Sequence, residues 1–213
     1  MNTEQKEISY ISKNSYDTLN ILSKKTKNVW LVFHGIGYLS KYFLRYFKDL
    51  DPVENYIIAP QAPSKYYLGS KYKHVGASWL TRVDTIQETE NLFRYVDAIL
   101  DNEALPEKTN LIVLGYSQGV SVACRFVAAR KLKCRHLVLM SGGIPKELLP
   151  ADFEFLKDKT KVSLVYGTQD THFDENSIRH EKDRFCTLFG DFSEIIPFEG
   201  KHEVKKELLS HWV

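Results

Sequence analysis

The sequence predicts an α/β fold in which a mostly parallel central sheet is covered by helices on both faces. Short apolar runs typical of buried strands alternate along the chain with segments whose apolar residues recur at helical spacing. The chain has 213 residues, 43% of them hydrophobic, which suffices to bury one substantial core. Neither a repeat nor a Ser/Pro-rich linker divides it. We therefore expect residues 1–213 to form a single domain without a separate cap domain.

Composition and charge exclude several classes of protein. The 12 Phe, 12 Tyr and 3 Trp argue against disorder, and no apolar run approaches the length of a membrane-spanning helix. The formal net charge of +2 argues against a nucleic-acid partner, because such proteins usually carry a marked basic excess. The three cysteines show no CxxC spacing, and the polar N-terminus has no signal-peptide pattern. We expect a cytoplasmic protein that needs neither metal nor cofactor, and composition leaves its oligomeric state open.

The strands are predicted from apolar runs. Val29–Phe33 is a continuous apolar run that ends at His34-Gly35, which is typical of a strand buried on both faces. The alternating pieces within Ile8–Leu22 favour an antiparallel hairpin at the edge of the sheet. Similar apolar runs predict five further strands: Tyr56–Ala59, Leu111–Leu114, Leu137–Met140, Val162–Tyr166 and Phe192–Pro197.

The helices are predicted from apolar residues at helical spacing. Thr85 is followed three residues later by Glu88, which indicates a capping box at the start of a helix. A short loop is expected around a short helix at Ala151–Leu156. Ser64–Gly76, rich in Lys and Tyr, is expected to be a solvated loop, although it could instead border the pocket mouth and favour an anionic or aromatic substrate. The predicted helices are Tyr42–Leu50, one that begins near Ile86, Val120–Arg130, Ile178–Phe189 and Val204–Trp212.

A G-x-S-x-G motif, Gly115-Tyr116-Ser117-Gln118-Gly119, lies between a predicted strand and a predicted helix. In that context the motif is typical of a nucleophile elbow, a tight turn that lifts a serine hydroxyl clear of the sheet. The two glycines leave room where strand and helix crowd together. An ordinary glycine-rich turn is the alternative. We interpret Ser117 as the nucleophile.

A serine hydroxyl becomes a good nucleophile only when a base takes its proton. In this type of fold the order along the chain is Ser, then Asp or Glu, then His. His202 follows the last predicted strand and is the candidate base, while His211 lies in the terminal helix. Asp170 follows the preceding strand and is the candidate acid. Asp174 remains the alternative, because it could instead cap the next helix.

The turn His34-Gly35-Ile36-Gly37 follows the first buried strand. Its glycines would let the backbone approach a substrate oxygen, so that an amide of this turn and the amide of Gln118 form an oxyanion hole. We interpret His34 as a structural hydrogen-bonding residue, not as a second base.

Together these elements resemble the α/β-hydrolase superfamily, and within it the phospholipase/carboxylesterase family that includes acyl-protein thioesterases. The matching segments are VFHGIG, APQAP, GASW, GYSQG, SGG, YGTQD and EGKHE, spread from residue 29 to residue 203. The resemblance implies nucleophile Ser117, base His202 and acid Asp170, with the backbone amides of Ile36 and Gln118 as the oxyanion hole. It also implies that Trp79 lies near the acyl group, although a core tryptophan is an equal alternative.

The sequence therefore predicts a serine hydrolase that cleaves small-molecule carboxylic esters or thioesters through an acyl-enzyme. A lysophospholipase or peptidase on the same scaffold is one alternative, since a fold does not determine a substrate. A non-catalytic ligand-binding protein is another, although such proteins usually lack one of the three catalytic residues. The acyl length and the leaving group are left open.

Overall fold

The computed structural model describes residues 3–106, 108–172 and 175–213. Their strands are β1 (Tyr16–Leu19), β2 (Asn28–Phe33), β3 (Asn55–Pro60), β4 (Ser64–Leu68), β5 (His74–Ser78), β6 (Asn110–Tyr116), β7 (His136–Met140), β8 (Lys161–Gly167) and β9 (Ser193–Phe198). The α-helices are α1 (Ser40–Phe43), α2 (Thr85–Glu103), α3 (Gln118–Arg130) and α4 (Glu175–Phe189). Short 3₁₀ helices lie at Leu44–Phe47, Pro150–Leu156, Gly190–Phe192 and Lys206–Trp212.

Seven strands form one sheet in the order β1-β3-β2-β6-β7-β8-β9. Only β1 runs antiparallel to its neighbour, and every other pair in this sheet is parallel. Strands β4 and β5 form a separate antiparallel hairpin. The predicted α/β fold with a mostly parallel sheet is confirmed.

The alternation of side chains along β2 divides the core into two layers. Val29, Leu31 and Phe33 pack with α2, α3 and α4 on one face of the sheet. Trp30 and Val32 pack on the other face with α1 and the neighbouring 3₁₀ segments. Every residue of β2 is buried, as its continuous apolar run predicts. None of the helices in the described ranges combines the length and apolar character required to span a bilayer.

The hairpin predicted within Ile8–Leu22 is wrong, although its antiparallel edge strand is present. Among the described residues of this segment, only Tyr16–Leu19 forms a strand, and its partner is β3, with Tyr16 opposite Pro60. Pairing with the sheet edge satisfies the backbone, and the Tyr16 hydroxyl also donates to Glu103 at 2.6 Å. The edge strand β1 therefore pairs with β3, which is distant along the chain, instead of with a second strand inside Ile8–Leu22.

Helix boundaries differ from the prediction where packing outweighs local preference. The predicted helix Tyr42–Leu50 is one turn of α1 followed by a 3₁₀ turn, with Phe43 and Phe47 fully buried. The predicted terminal helix is also 3₁₀. The capping box is absent: the N-cap residue Asp84 has a left-handed conformation and makes no side-chain cap bond, and the Thr85 hydroxyl donates to the Thr81 carbonyl at 2.7 Å.

The segment predicted as the loop Ser64–Gly76 is instead the β4–β5 hairpin, with Lys65 opposite Ala77. Every residue of β4 is exposed. A strand without a buried face carries no alternation of apolar and polar residues, so its pattern resembles that of a solvated loop.

Cysteine burial differs among the three positions. Cys124 and Cys134 are buried, whereas Cys186 is exposed. All three thiols are free. Burial raises the pKa of the Cys134 thiol to about 12, so this residue behaves as a small apolar side chain.

Helix α3 approaches the sheet so closely that only glycine fits at two contacts. A Cβ at Gly119 would overlap the Phe33 carbonyl of β2, and a Cβ at Gly115 would overlap the backbone at Gly119 and Val120. The predicted crowding between strand and helix is therefore present. It determines how far the turn between them rises above the sheet.

We predict that Gly119→Ala destabilises the protein by at least about 2 kcal/mol, because the overlap outweighs the gain of about 1 kcal/mol in helix propensity. The measurement is urea unfolding. Gly143→Ala is the matched control, since its Cβ would meet nothing closer than a Glu181 oxygen at 3.5 Å. Equal stability of the Gly119 variant and the wild type would contradict this account of the packing.

Candidate active site

The candidate residues meet because parallel strands end at the same edge of the sheet. In the register of the sheet, Phe33 of β2 lies opposite Gly115 of β6, and Gly167 of β8 lies opposite Phe198 of β9. The segments that follow these strands therefore converge. They carry the glycine turn, the serine, the aspartate and the histidine that the sequence analysis selects.

Ser117 occupies the turn between β6 and α3 with φ 53° and ψ −119°. A non-glycine residue rarely adopts a positive φ, so this turn is strained. Two hydrogen bonds hold it: the Ser117 amide donates to the Met140 carbonyl at 2.9 Å, and the Val120 amide donates to the Ser117 carbonyl at 3.0 Å. The geometry is that of the predicted elbow.

A continuous hydrogen-bonded chain joins Ser117, His202 and Asp170. The Ser117 hydroxyl lies 2.9 Å from His202 Nε2, and His202 Nδ1 lies 2.7 Å from Asp170 Oδ2. Asp170 is 5% exposed, and its other carboxylate oxygen accepts the His172 amide at 2.8 Å. Asp174, the alternative acid, lies outside the described residues.

The loops that carry Asp170 and His202 are tied to each other by backbone hydrogen bonds. The Thr168 amide donates to the Phe198 carbonyl, and the Gln169 amide donates to the Gly200 carbonyl, both at 2.8 Å. The Tyr116 hydroxyl donates to the His202 carbonyl at 3.0 Å. Sequence analysis missed this role of Tyr116, because the motif leaves its position unspecified.

The backbone amides of Ile36 and Gln118 have no hydrogen-bond acceptor within the described part of the chain. Gln118 begins α3, where the first amides lack partners inside the helix. The next amide of the glycine turn, that of Gly37, is bound to the Ala77 carbonyl at 2.8 Å. One of these two amides therefore belongs to the glycine turn and the other to the elbow.

The Gln118 side chain has a second function that the sequence did not reveal. Its amide oxygen accepts the Trp79 backbone N–H at 2.9 Å, and its amide nitrogen donates to the Leu80 carbonyl at 2.8 Å. The side chain thereby attaches the segment after β5 to the elbow.

Trp79 lies beneath the glycine turn and is 1% exposed. Its indole nitrogen donates to the His34 carbonyl at 2.7 Å, and its ring centroid lies 4.8 Å from that of His34. The ring supports the turn from below, in agreement with the core alternative for this residue.

His34 is fully buried and hydrogen-bonded on both ring nitrogens. Nδ1 lies 2.8 Å from the Gly35 carbonyl and therefore carries the proton, while Nε2 accepts the Ala62 amide at 3.2 Å. Burial lowers the pKa of His34 to about 4, opposed by the bond to Gly35. A neutral imidazole that bridges two backbone segments acts as a structural residue.

His172 is a further residue that the sequence analysis did not select. Its exposed ring packs against His202 in a tilted arrangement with centroids 4.2 Å apart, and its Nδ1 lies 3.4 Å from Asp170. Asp170, His172 and His202 bring their donor atoms within 4.8 Å of one another, as in some metal sites. An ion bound to His202 Nδ1 would displace the bond to Asp170, so metal binding and the hydrogen-bonded chain exclude each other.

The chain matches a family model described as Phospholipase/Carboxylesterase over residues 18–211. No curated protein sequence matches it. Among solved structures, acyl-protein thioesterase 2 of Zea mays is 16% identical with a TM-score of 0.68, and the match covers 93% of this chain and 96% of that one.

Two further structures are similar over nearly the whole chain. Esterase PE8 is 19% identical with a TM-score of 0.66, and the match covers 95% of this chain and 100% of that one. A phospholipase/carboxylesterase from Dyadobacter fermentans DSM 18053 is 17% identical with a TM-score of 0.65, over 95% and 96% of the two chains. At these identities the likeness establishes a shared fold.

We predict that His34 makes stability fall as the pH drops from 6.5 towards 4. The unfolded chain takes up a proton near its ordinary pKa of 6.5, whereas the folded protein resists until about 4. This difference removes up to about 3 kcal/mol of unfolding free energy across that window. Urea unfolding of wild type and His34→Gln at pH 7 and pH 4 measures it. Parallel losses in both proteins would refute the assignment.

Proposed function

This chain belongs to the phospholipase/carboxylesterase family and is an esterase-type hydrolase, and from that premise we propose that it cleaves carboxylic esters or thioesters through a Ser117 acyl-enzyme. His202 is the proposed base and Asp170 the proposed acid. The observation that carries the proposal is the hydrogen-bonded chain from the Ser117 hydroxyl through His202 to Asp170. The esterase and thioesterase among the similar structures support the substrate class.

In the proposed acylation step, the Ser117 oxygen attacks the carbonyl carbon while its proton passes to His202 Nε2. The 2.9 Å contact between these atoms is short enough for direct transfer. Asp170 accepts the Nδ1 proton in a hydrogen bond, which keeps the correct tautomer and stabilises the imidazolium. The strained turn holds the hydroxyl in this position before substrate arrives, so little reorganisation remains for the transition state.

The negative charge that develops on the carbonyl oxygen needs donors that are already oriented. The proposed donors are the backbone amides of Ile36 and Gln118, which have no acceptor among the described residues. Because Trp79 and the Gln118 side chain hold the surrounding segments in place, both amides stay oriented. Trp79 is therefore proposed as a positioning residue for the oxyanion hole.

His202 then returns its proton to the leaving alcohol or thiol, and water attacks the acyl-enzyme with His202 again as base. The attack converts the acyl carbonyl into a tetrahedral intermediate. Its collapse re-forms the carbonyl, breaks the bond to the Ser117 oxygen and returns the proton from His202 to that oxygen, which releases the acid. No metal or cofactor takes part in the proposed reaction. The free thiols of Cys124, Cys134 and Cys186 support a reducing, cytoplasmic setting for it.

We propose that substrate reaches the site without movement of a cap, because the described segment between β7 and β8 is packed onto the core. The segment between β7 and β8 contains the 3₁₀ turn Pro150–Leu156, in which Phe153 and Leu156 are fully buried. Arg184 of α4 donates to the Pro145 and Leu148 carbonyls and thereby fixes the start of this segment. A segment packed in this way is a poor candidate for a lid.

We predict that Ser117→Ala lowers kcat/KM for a p-nitrophenyl ester by at least about 10³-fold, because acyl transfer needs the hydroxyl. The variant should also fail to react with a fluorophosphonate probe that labels the wild type. Ser121→Ala, in the helix that follows, is the control and should be labelled normally. Retention of more than a tenth of wild-type turnover by Ser117→Ala would disprove the nucleophile, and an unlabelled wild type would favour the binding-only alternative.

We predict that Asp170→Asn lowers turnover on the order of 10⁴-fold, because an amide supports the wrong imidazole tautomer. Asp174→Asn is the matched control and should change turnover little. The measurement is kcat for a p-nitrophenyl ester with both folded variants. If only the Asp174 variant loses activity, position 174 supplies the acid.

We predict hyperbolic kinetics on monomeric esters without interfacial activation, since no lid has to open. The measurement follows initial rate against ester concentration through the solubility limit. A sharp rise as the ester forms droplets or micelles would contradict the fixed segment between β7 and β8.

A further inference from the structure

A surface groove of about 520 Å³ lies between the β4–β5 hairpin and the segment that leads into α1. Its apolar part includes Tyr38 and Leu68, and its polar part includes Lys41, Lys73 and His74. Gly37, the last residue of the glycine turn, also lines the groove. None of the described residues that line it is acidic.

The charge around this groove differs sharply from that of the whole protein. The formal net charge of the chain is only +2. Yet residues 36–48 contain no Asp or Glu, and neither do residues 61–83, which include the hairpin. Their basic residues are Lys41, Arg45, Lys48, Lys65, Lys71, Lys73 and Arg82. Two acid-free segments therefore border one groove.

The groove lysines are also free of internal ion pairs. Lys27, Lys161 and Lys206 each contact a carboxylate within 2.8 Å. By contrast, Lys41 and Lys73 form no ion pair with any residue that the structure describes, and the Lys41 ammonium lies 5.0 Å from the Tyr42 ring centroid. Their positive charge remains available to a bound anion.

A backbone hydrogen bond connects one wall of the groove to the turn that carries the proposed oxyanion hole. The Gly37 amide donates to the Ala77 carbonyl of β5 at 2.8 Å, which ties the hairpin to the glycine turn. At Gly35 of the same turn, an added Cβ would lie 3.1 Å from the Ser117 Cβ. A side chain at Gly37 would point towards Leu68, so glycine there keeps this end of the groove open.

We propose that this groove binds an anionic group of the substrate, a carboxylate or a phosphate, so that the enzyme prefers acidic esters over neutral ones. This proposal rests on the function proposed above. Gly37, the residue after Ile36, lines the groove, and Tyr38 and Leu68 offer an apolar wall for the body of the substrate. Lys41 and Lys73 would attract its charge.

Two pairs of esters test the preference and identify which side of the ester carries the charge. On the leaving-group side, 4-butyryloxybenzoate is compared with the neutral 4-butyryloxybenzamide. On the acyl side, mono-4-nitrophenyl adipate is compared with 4-nitrophenyl hexanoate. We expect kcat/KM to favour the anionic member of at least one pair by about fivefold, and 0.5 M NaCl to reduce that ratio towards one.

The variants are Lys41→Gln/Lys73→Gln and, as the matched control on the same hairpin, Lys71→Gln. Lys71 does not line the groove. The double variant should lose about fivefold in the anionic-to-neutral ratio while its kcat/KM for the neutral ester stays unchanged. The control should keep the wild-type ratio. Equal ratios for all three proteins would overturn the proposal while leaving the esterase function intact.

A binding measurement decides the question independently of turnover. Isothermal titration compares 4-butyramidobenzoate and 4-butyramidophenyl phosphate with the neutral 4-butyramidobenzamide. Each of these compounds has an amide in place of the carboxylic ester, so ester hydrolysis does not contribute to the signal. We expect at least one anion to bind the wild type more tightly than the amide, and the double variant to lose about fivefold in that affinity. Equal affinities for the anions and the neutral amide would refute anion binding by the groove, even if no ester is hydrolysed. A protein that binds the anion but hydrolyses no ester would refute only the proposed esterase function.

Discussion

The close approach of α3 to the sheet is the constraint on which the site depends. With glycine at positions 115 and 119, the helix begins directly after β6, and Ser117 is forced into a positive φ above the strand ends. Because the helix begins at Gln118, that residue's amide is left without an acceptor and its side chain reaches the segment after β5. The close packing of α3 on the sheet therefore orients the Ser117 hydroxyl, the Gln118 backbone amide and the Gln118 side chain together.

A second set of contacts brings the remaining groups to that hydroxyl. Backbone hydrogen bonds between the loops after β8 and β9 hold Asp170 and His202 together, and the Tyr116 hydroxyl anchors the His202 carbonyl. Within the glycine turn, the buried His34 ring links Gly35 to Ala62 by hydrogen bonds, and the Trp79 indole donates to the His34 carbonyl. The charged and reactive groups lie on backbone that buried polar groups have already fixed, which is how a preorganised site avoids reorganisation during reaction.

Global composition conceals the local character of the surface beside the site. The near-balance of charge argues against a nucleic-acid partner, yet two acid-free segments of the chain border a single groove. Such a local excess of one sign focuses the field within a concave surface more effectively than the net charge suggests. The hairpin that forms one wall is hydrogen-bonded to the glycine turn through Gly37, so the proposed substrate groove and the proposed oxyanion hole share a backbone connection.

The sequence alone determined the sheet, the order of its strands along the chain and the residues at their carboxyl ends. A strand such as Val29–Phe33 is buried on both faces, and burial leaves a pattern in the residues themselves. Ser117, Asp170 and His202 were selected as the candidate triad because each follows a predicted strand. Other features depend on contacts between distant segments, and only the tertiary structure decided them. They are the pairing of β1 with β3, the 3₁₀ turns, the exposed hairpin, the buried position of Trp79 and the contact of His172 with His202. Those features leave no periodic signal, because their energy comes from partners far away in the chain.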